Sequence, residues 1–275
     1  MSLIITATDF SEVAGNAVNY ACRLALHHNA GVAVIHSFMM PVMFSDVPMP
    51  GSLVNDSQKH AEAQMNDLLT ELALRYPGLA LTGKVIYGDT IDVLEAYKEE
   101  NIDPWMVVIG NSSLAQNNSW PDSILIDALK ALKYPVLAVP PGAVFSPVHN
   151  LCFAMDNKQD GYETAILKLT DITLRLNAGL HIINVGTASG SNADHTFDEH
   201  LKEQLSKLNP VYHFADHAAD IDDAILSFAE KNGMDWLVVM PRKHSLFEAL
   251  LHKSHTRALA HHSHIPILAI HEHHK

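Results

Sequence analysis

Residues 98–113, KEENIDPWMVVIGNSS, return in altered form at residues 229–245 as AEKNGMDWLVVMPRKHS, and Trp105 is answered by Trp236. Three further stretches repeat in the same order. LIITATDF (3–10) is answered by LCFAMDN (151–157), ALHHNAGVAVIHSF (25–38) by RLNAGLHIINV (175–185), and KYPVLAVPP (133–141) by SHIPILAIHE (263–272). Self-similarity over most of a chain means that one structural unit has been used twice. A length of 275 residues accommodates two domains of ordinary size. The Pro- and Gly-rich stretch PPGAVFSPV (140–148) marks the junction, giving domains at 1–141 and 142–275. The second copy is shorter because it lacks most of the segment 39–54.

Within one copy, apolar strands alternate with helical patterns. Strands are expected at 3–7, 31–38, 81–87, 105–110 and 135–139, with Trp105 and Trp236 as rim residues at the fourth strand of each copy. Helices are expected at 11–26, 59–76, 90–100 and 123–132, with Ser11 as the N-cap of the first and Glu12 in its first turn. The stretch 39–54, with three prolines and a glycine, reads as a loop. This alternation predicts an α/β fold built from βαβ units, because parallel neighbours need a crossover between them. The runs VVIG and PVLAV suit strands covered on both faces. Ligands of open parallel sheets bind beyond the carboxyl ends of the strands. Asp9, Asp156, the loop 110–122 and the segment 240–253 all fall on that edge.

Charge narrows the partners. The formal net charge of −13 repels phosphate backbones, which argues against a nucleic-acid partner. No apolar run approaches the roughly 20 residues that span a bilayer. The start MSLIITATDFS reads as a strand and not as a signal peptide. Cys22 and Cys152 stand far apart, which fits a reduced cytoplasm and no disulfide framework, and Cys22 sits in a helical apolar pattern as a core residue.

At these residues the chain resembles the universal stress protein family in its tandem two-domain form. The likeness runs over nearly the whole chain and rests on the first-strand aspartates of ATDFS and AMDN, the strand order, and the closing blocks PVLAVP and PILAIH. It implies two doubly wound domains, each a five-stranded parallel sheet between helices, like an adenine nucleotide alpha hydrolase. It also implies pairing through the fifth strands, 135–139 with 267–270, as an internal pseudo-dimer that can associate into a homodimer. Nucleotide-binding members resemble one another in a loop G-x2-G-x9-G-[ST] after strand 4, whose glycines let backbone amides approach phosphates. By this likeness Asp9, with Ser11, and Asp156 would lie beside a nucleotide. Both loops depart from the pattern. In the first, Gly110 keeps the first glycine and Ser123 the hydroxyl, while Ser113 and Asp122 replace the other glycines, and an aspartate there repels an anion. In the second, Met240, Lys243 and Lys253 hold the glycine positions, followed by Ser254. Arg242, Lys243, Lys253 and Ser254 could instead hold an anion through side chains.

Each candidate has a plainer reading. Asp9 could be only a strand-end carboxylate capping the following helix, Arg242, Lys243 and Lys253 only a solvated face beside Glu248, and both tryptophans only packed rim residues. Of the 19 histidines, nine fall between His244 and His274. His252 and His255 are spaced to share a helical face, with His262 further on, but no H-E-x-x-H or paired C-x-x-C pattern accompanies them. No nucleophile–base–acid set is legible. The leading expectation is a cytoplasmic stress-response protein that works by binding a ligand or partner, with degraded phosphate loops and no tight ATP binding. The alternatives are a sensor of ATP or AMP (with Mg) or a phosphate ligand in one domain, with weak ATPase activity at most, and a histidine-based metal or pH sensor.

Overall fold

A computed structural model of the chain describes residues 2–39, 51–97, 104–111, 123–155, 163–185, 199–215, 221–240 and 264–271. Its strands form one ten-stranded sheet. The first half contributes β1 (Ser2–Ala7), β2 (Ala30–Phe38), β3 (Leu81–Tyr87), β4 (Pro104–Gly110) and β5 (Val136–Val139). The second contributes β6 (Asn150–Met155), β7 (Gly179–Val185), β8 (Val211–Ala215), β9 (Trp236–Val239) and β10 (Ile267–Ala269). The strand order is β3-β2-β1-β4-β5-β10-β9-β6-β7-β8. Every neighbouring pair is parallel except β5 and β10, which meet antiparallel as Ile267↔Ala138, Leu268↔Leu137 and Ala269↔Val136.

Two helical layers cover the sheet. Strand side chains alternate between them, as the twofold period of a strand requires. Ile4 faces a core shared with α1 (Glu12–His27), α2 (Gly51–Arg75) and α5 (Glu163–Leu176). Leu3 and Ile5 face one shared with α3 (Thr90–Ala96), α4 (Ser123–Ala131) and α7 (Ile221–Lys231). The short α6 (Glu199–Leu205) joins the first core through Leu205. Both cores run through both halves of the chain. Trp236 and Phe153 are among the largest fully buried side chains; burying one such apolar side chain stabilises by about 1.5–3 kcal/mol.

Helix α1 shows how sequence sets an element. Ser11 accepts the amide of Ala14 at 3.2 Å and Glu12 lies in the first turn, so the helix starts with a side-chain cap and a favourable charge. Its buried stripe includes Ala14, Ala17, Ala21 and Ala25, small enough for close approach to the sheet. Just past the helix end, Asn29 takes φ 52°, and Asn177 past α5 also takes φ 52°. The repeated Asn-Ala-Gly thus encodes one left-handed exit, a conformation asparagine tolerates better than most residues.

Two local expectations change. Helix α2 begins at Gly51, inside the stretch expected to be a loop, because no proline interrupts the chain between Pro50 and Pro77. Trp105 and Trp236 lie in β4 and β9 as core residues and not at a rim, with Trp236 fully buried and Trp105 7% exposed.

The β5–β10 seam is reinforced on its flanks. Trp236 donates its indole N–H to the Tyr20 hydroxyl at 2.7 Å. Arg175 donates to Ser2 Oγ at 3.0 Å, and its guanidinium lies 5.7 Å from the Trp105 ring centroid. Lys168 donates to the carbonyls of Lys133 at 2.7 Å and His271 at 3.2 Å.

Candidate functional site

The carboxyl ends of β1, β2 and β4 meet at one edge of the first half. The turn leaving β1 is held by its own side chains. Thr8 Oγ1 accepts the amide of Phe10 at 3.0 Å, and Asp9 Oδ1 accepts the amide of Ser11 at 3.0 Å. Asp9 therefore closes the turn and does not cap the helix, as its plainer reading had it; Ser11 caps α1. Between them Phe10 has φ 63°. A residue with a Cβ in that region stores strain on the order of 1–3 kcal/mol, and such strain clusters at binding sites. Its ring lies 4.5 Å from the His36 ring, and His36 Nδ1 is 2.8 Å from the Thr8 carbonyl. A carbonyl only accepts, so His36 carries its proton on Nδ1.

Gly110 ends β4 against the first turn of α1. A Cβ added there would lie 2.8 Å from the Val13 carbonyl oxygen and 3.0 Å from Val13 Cγ1. This glycine is required for strand–helix packing, whatever else it does. The next residue, Asn111, is buried and donates its amide to the Val139 carbonyl at 2.8 Å. At the end of β2, the Ser37 and Thr90 hydroxyls share a buried hydrogen bond of 2.6 Å, and Asp89 caps α3.

Of the residues singled out from sequence, Asp9, Ser11 and Gly110 come together at this edge. Ser123 opens α4, with its side chain outside the described residues. Ser113, Asp156, Arg242, Lys243, Lys253, Ser254, His252, His255 and His262 also lie outside the described residues. Sequence reasoning missed Phe10, His36 and Asn111. Position at a strand end was the available signal for His36 and Asn111; nothing in the sequence announces the positive φ of Phe10.

In the second half, Asn184 stands on β7 where His36 stands on β2, as the matching Asn-Ala-Gly runs place it, and is buried. Cys22 and Cys152 are buried, and burial pushes both thiols up to about 12, so they stay protonated at neutral pH. Among the described residues no three His, Cys, Asp or Glu side chains converge as a metal site needs, and no helix is long and apolar enough to cross a membrane.

The edge thus offers a carboxylate, a capped helix start, an oriented imidazole and one close-packed glycine beyond a parallel sheet. Comparison with known proteins gives this arrangement a family. The model of the universal stress protein family matches residues 1–140 and again 147–271. A universal stress protein from Archaeoglobus fulgidus is similar in fold at 16% identity, with a TM-score of 0.67 over 98% of this chain and 96% of that one. A functionally unknown protein from Pseudomonas aeruginosa is similar at 15% identity, with a TM-score of 0.52 over 99% of this chain and 93% of that one. A comparison with curated proteins found no match. With its model matched twice along nearly the whole chain, and the fold of the sheet shared across both halves, the chain belongs to the universal stress protein family in its tandem two-domain form.

Proposed function

We propose that this chain is a cytoplasmic stress-response protein that acts by binding a ligand or partner, without tight ATP binding and with weak ATPase activity at most, its two domains meeting between Pro141 and Gly142. The observation that carries this reading is Gly110. It is the one motif glycine left in either loop, and its lack of a Cβ is spent on the Val13 carbonyl of α1. Phosphate cradles need several glycines so that consecutive amides can approach an anion. Asp9 supports the same reading, since one of its oxygens is already engaged by the Ser11 amide.

A thermal-shift titration of metal-free protein with Mg-ATP, AMP and inorganic phosphate tests it. A ligand that binds only the folded state raises the melting temperature by mass action. The expected result is no shift from any of the three below millimolar concentration. A shift with micromolar Mg-ATP that Lys253→Glu removes would overturn the reading and place a nucleotide in the second domain.

A further inference from the structure

A cavity of about 270 Å³ lies along α1 from Asn16 to Arg23, between that helix, the end of α2 and the chain segment that joins the two halves. Its size is just under the roughly 300–1,000 Å³ of sites for drug-sized ligands, so its occupant is small. One wall is cationic. Arg23 on α1 and Arg75 at the end of α2 both line it. Arg75 is held in place by Glu71 at 2.6 Å and by Asn19 Oδ1 at 2.7 Å, which leaves it further N–H donors. For Arg23 no ion pair is found among the described residues. The floor is phenolic. Tyr76 donates to Asn19 Oδ1 at 2.8 Å, and Tyr20 accepts from the Trp236 indole. Burial holds the Tyr20 phenol protonated, so after accepting that bond it still has its own proton to give. The remaining wall is apolar: Phe145 of the joining segment stands edge-on to the Tyr20 ring at 5.4 Å.

We propose that this cavity is a binding site for a small organic anion, a carboxylate or phosphate monoester with a compact apolar or aromatic body, held by the guanidiniums of Arg23 and Arg75 and packed on Phe145. Two guanidiniums present forked donors that match the oxygens of either anion, and no other side chain does this as well. The phenylalanine edge and the Ala143 and Val144 lip accept the body of the ligand. The Asp235 carboxylate is felt electrostatically by Tyr20, but it does not line the cavity, and its Oδ2 accepts the amides of His149 at 2.7 Å and Asn150 at 2.8 Å. The site is distinct from the strand-end edge that contains Asp9. It also borders the Tyr20–Trp236 bond that ties the two halves, so occupancy acts on the joint between them.

Isothermal titration of the full chain at low ionic strength, with phenyl phosphate, benzoate and inorganic phosphate as probes, tests this. Phenyl phosphate or benzoate is expected to bind more tightly than inorganic phosphate, and Arg23→Gln is expected to weaken that binding at least about tenfold. Arg23 is on the surface, so the variant should melt with the wild type; if it does not, Arg23→Lys replaces it, keeping the charge but losing the fork, with the same expected direction. Phe145→Ala should erase the preference for the aromatic probe over inorganic phosphate. The proposal is overturned if the wild type binds none of the probes at about 10 mM, or if the folded Arg23 variant binds them as the wild type does.

Discussion

His181 on β7 and His213 on β8 are a pair with a built-in response to acid. The Nδ1 of His181 and the Nε2 of His213 lie 3.0 Å apart, and the rings stack at 5.2 Å between centroids. One N–H can bridge two imidazole nitrogens, but two protonated rings would set donor against donor. His213 also lies against the Phe228 ring at 4.7 Å. Burial, and then the neighbouring His181, lower the pKa of His213 from its ordinary 6.5. The fold therefore keeps it neutral, while the unfolded chain takes up a proton at higher pH. Stability from this group is whole above about pH 6.5 and is lost as the pH falls below that toward the folded value. His28 is lowered in the same direction, first by burial and then by His27. Melting temperature should thus be level above neutrality and fall between about pH 6.5 and 5, before the carboxylates titrate. His213→Gln keeps a polar side chain there but cannot titrate, and should flatten part of that fall. Parallel melting curves for wild type and variant across this window would show that the pair has no such role.

At the scale of elements, α1 does three jobs: its start caps the candidate edge, its alanine stripe packs on the sheet, and Tyr20 reaches the second half. The bond from Trp236 to Tyr20 is buried, and Tyr20→Phe would leave the indole N–H without its acceptor. An orphaned buried donor costs about 1–3 kcal/mol, more than the bond contributes net when both partners are present. Denaturant unfolding of Tyr20→Phe, Trp236→Phe and the double variant should give a coupling of about 1 kcal/mol between the sites, measured as a double-mutant cycle. Strictly additive losses would mean that the bond carries nothing across the seam. Helix α1 was legible from sequence, with its Ser11 cap, because local chemistry decides it; the left-handed exits at Asn29 and Asn177 came only with the structure. The first-half edge was legible in Asp9, Ser11 and Gly110 through their places at strand ends. The packing demand on Gly110 was not, since it depends on how closely α1 crosses β4. The cavity was not legible either: Arg23, Arg75 and Phe145 belong to three separate elements and share no spacing.

For the molecule as a whole, the deciding feature is the three-residue antiparallel seam. It turns two five-stranded sheets into one ten-stranded sheet with cores on both faces that ignore the boundary between repeats. Leu137 and Leu268 face one another across it, and both are fully buried. Neither half can expose its fifth strand without uncovering that pair, so unfolding of one half takes away apolar cover from the other. Calorimetric unfolding of the intact chain should therefore be a single transition, even though each half has the elements of a complete domain. Leu137→Ala should lower stability by about 2–5 kcal/mol and keep the transition single, since it removes volume and leaves the strands paired. Leu268→Asp should act differently. A buried carboxylate with no partner costs at least about 3 kcal/mol and is relieved only by opening the seam, so the halves should separate into two transitions. If the wild type already melts in two steps, the halves are independent and the seam is only a contact. If Leu268→Asp melts in one step, the coupling lies in the flanking bonds of Tyr20, Arg175 and Lys168, where the same measurement on those variants would find it.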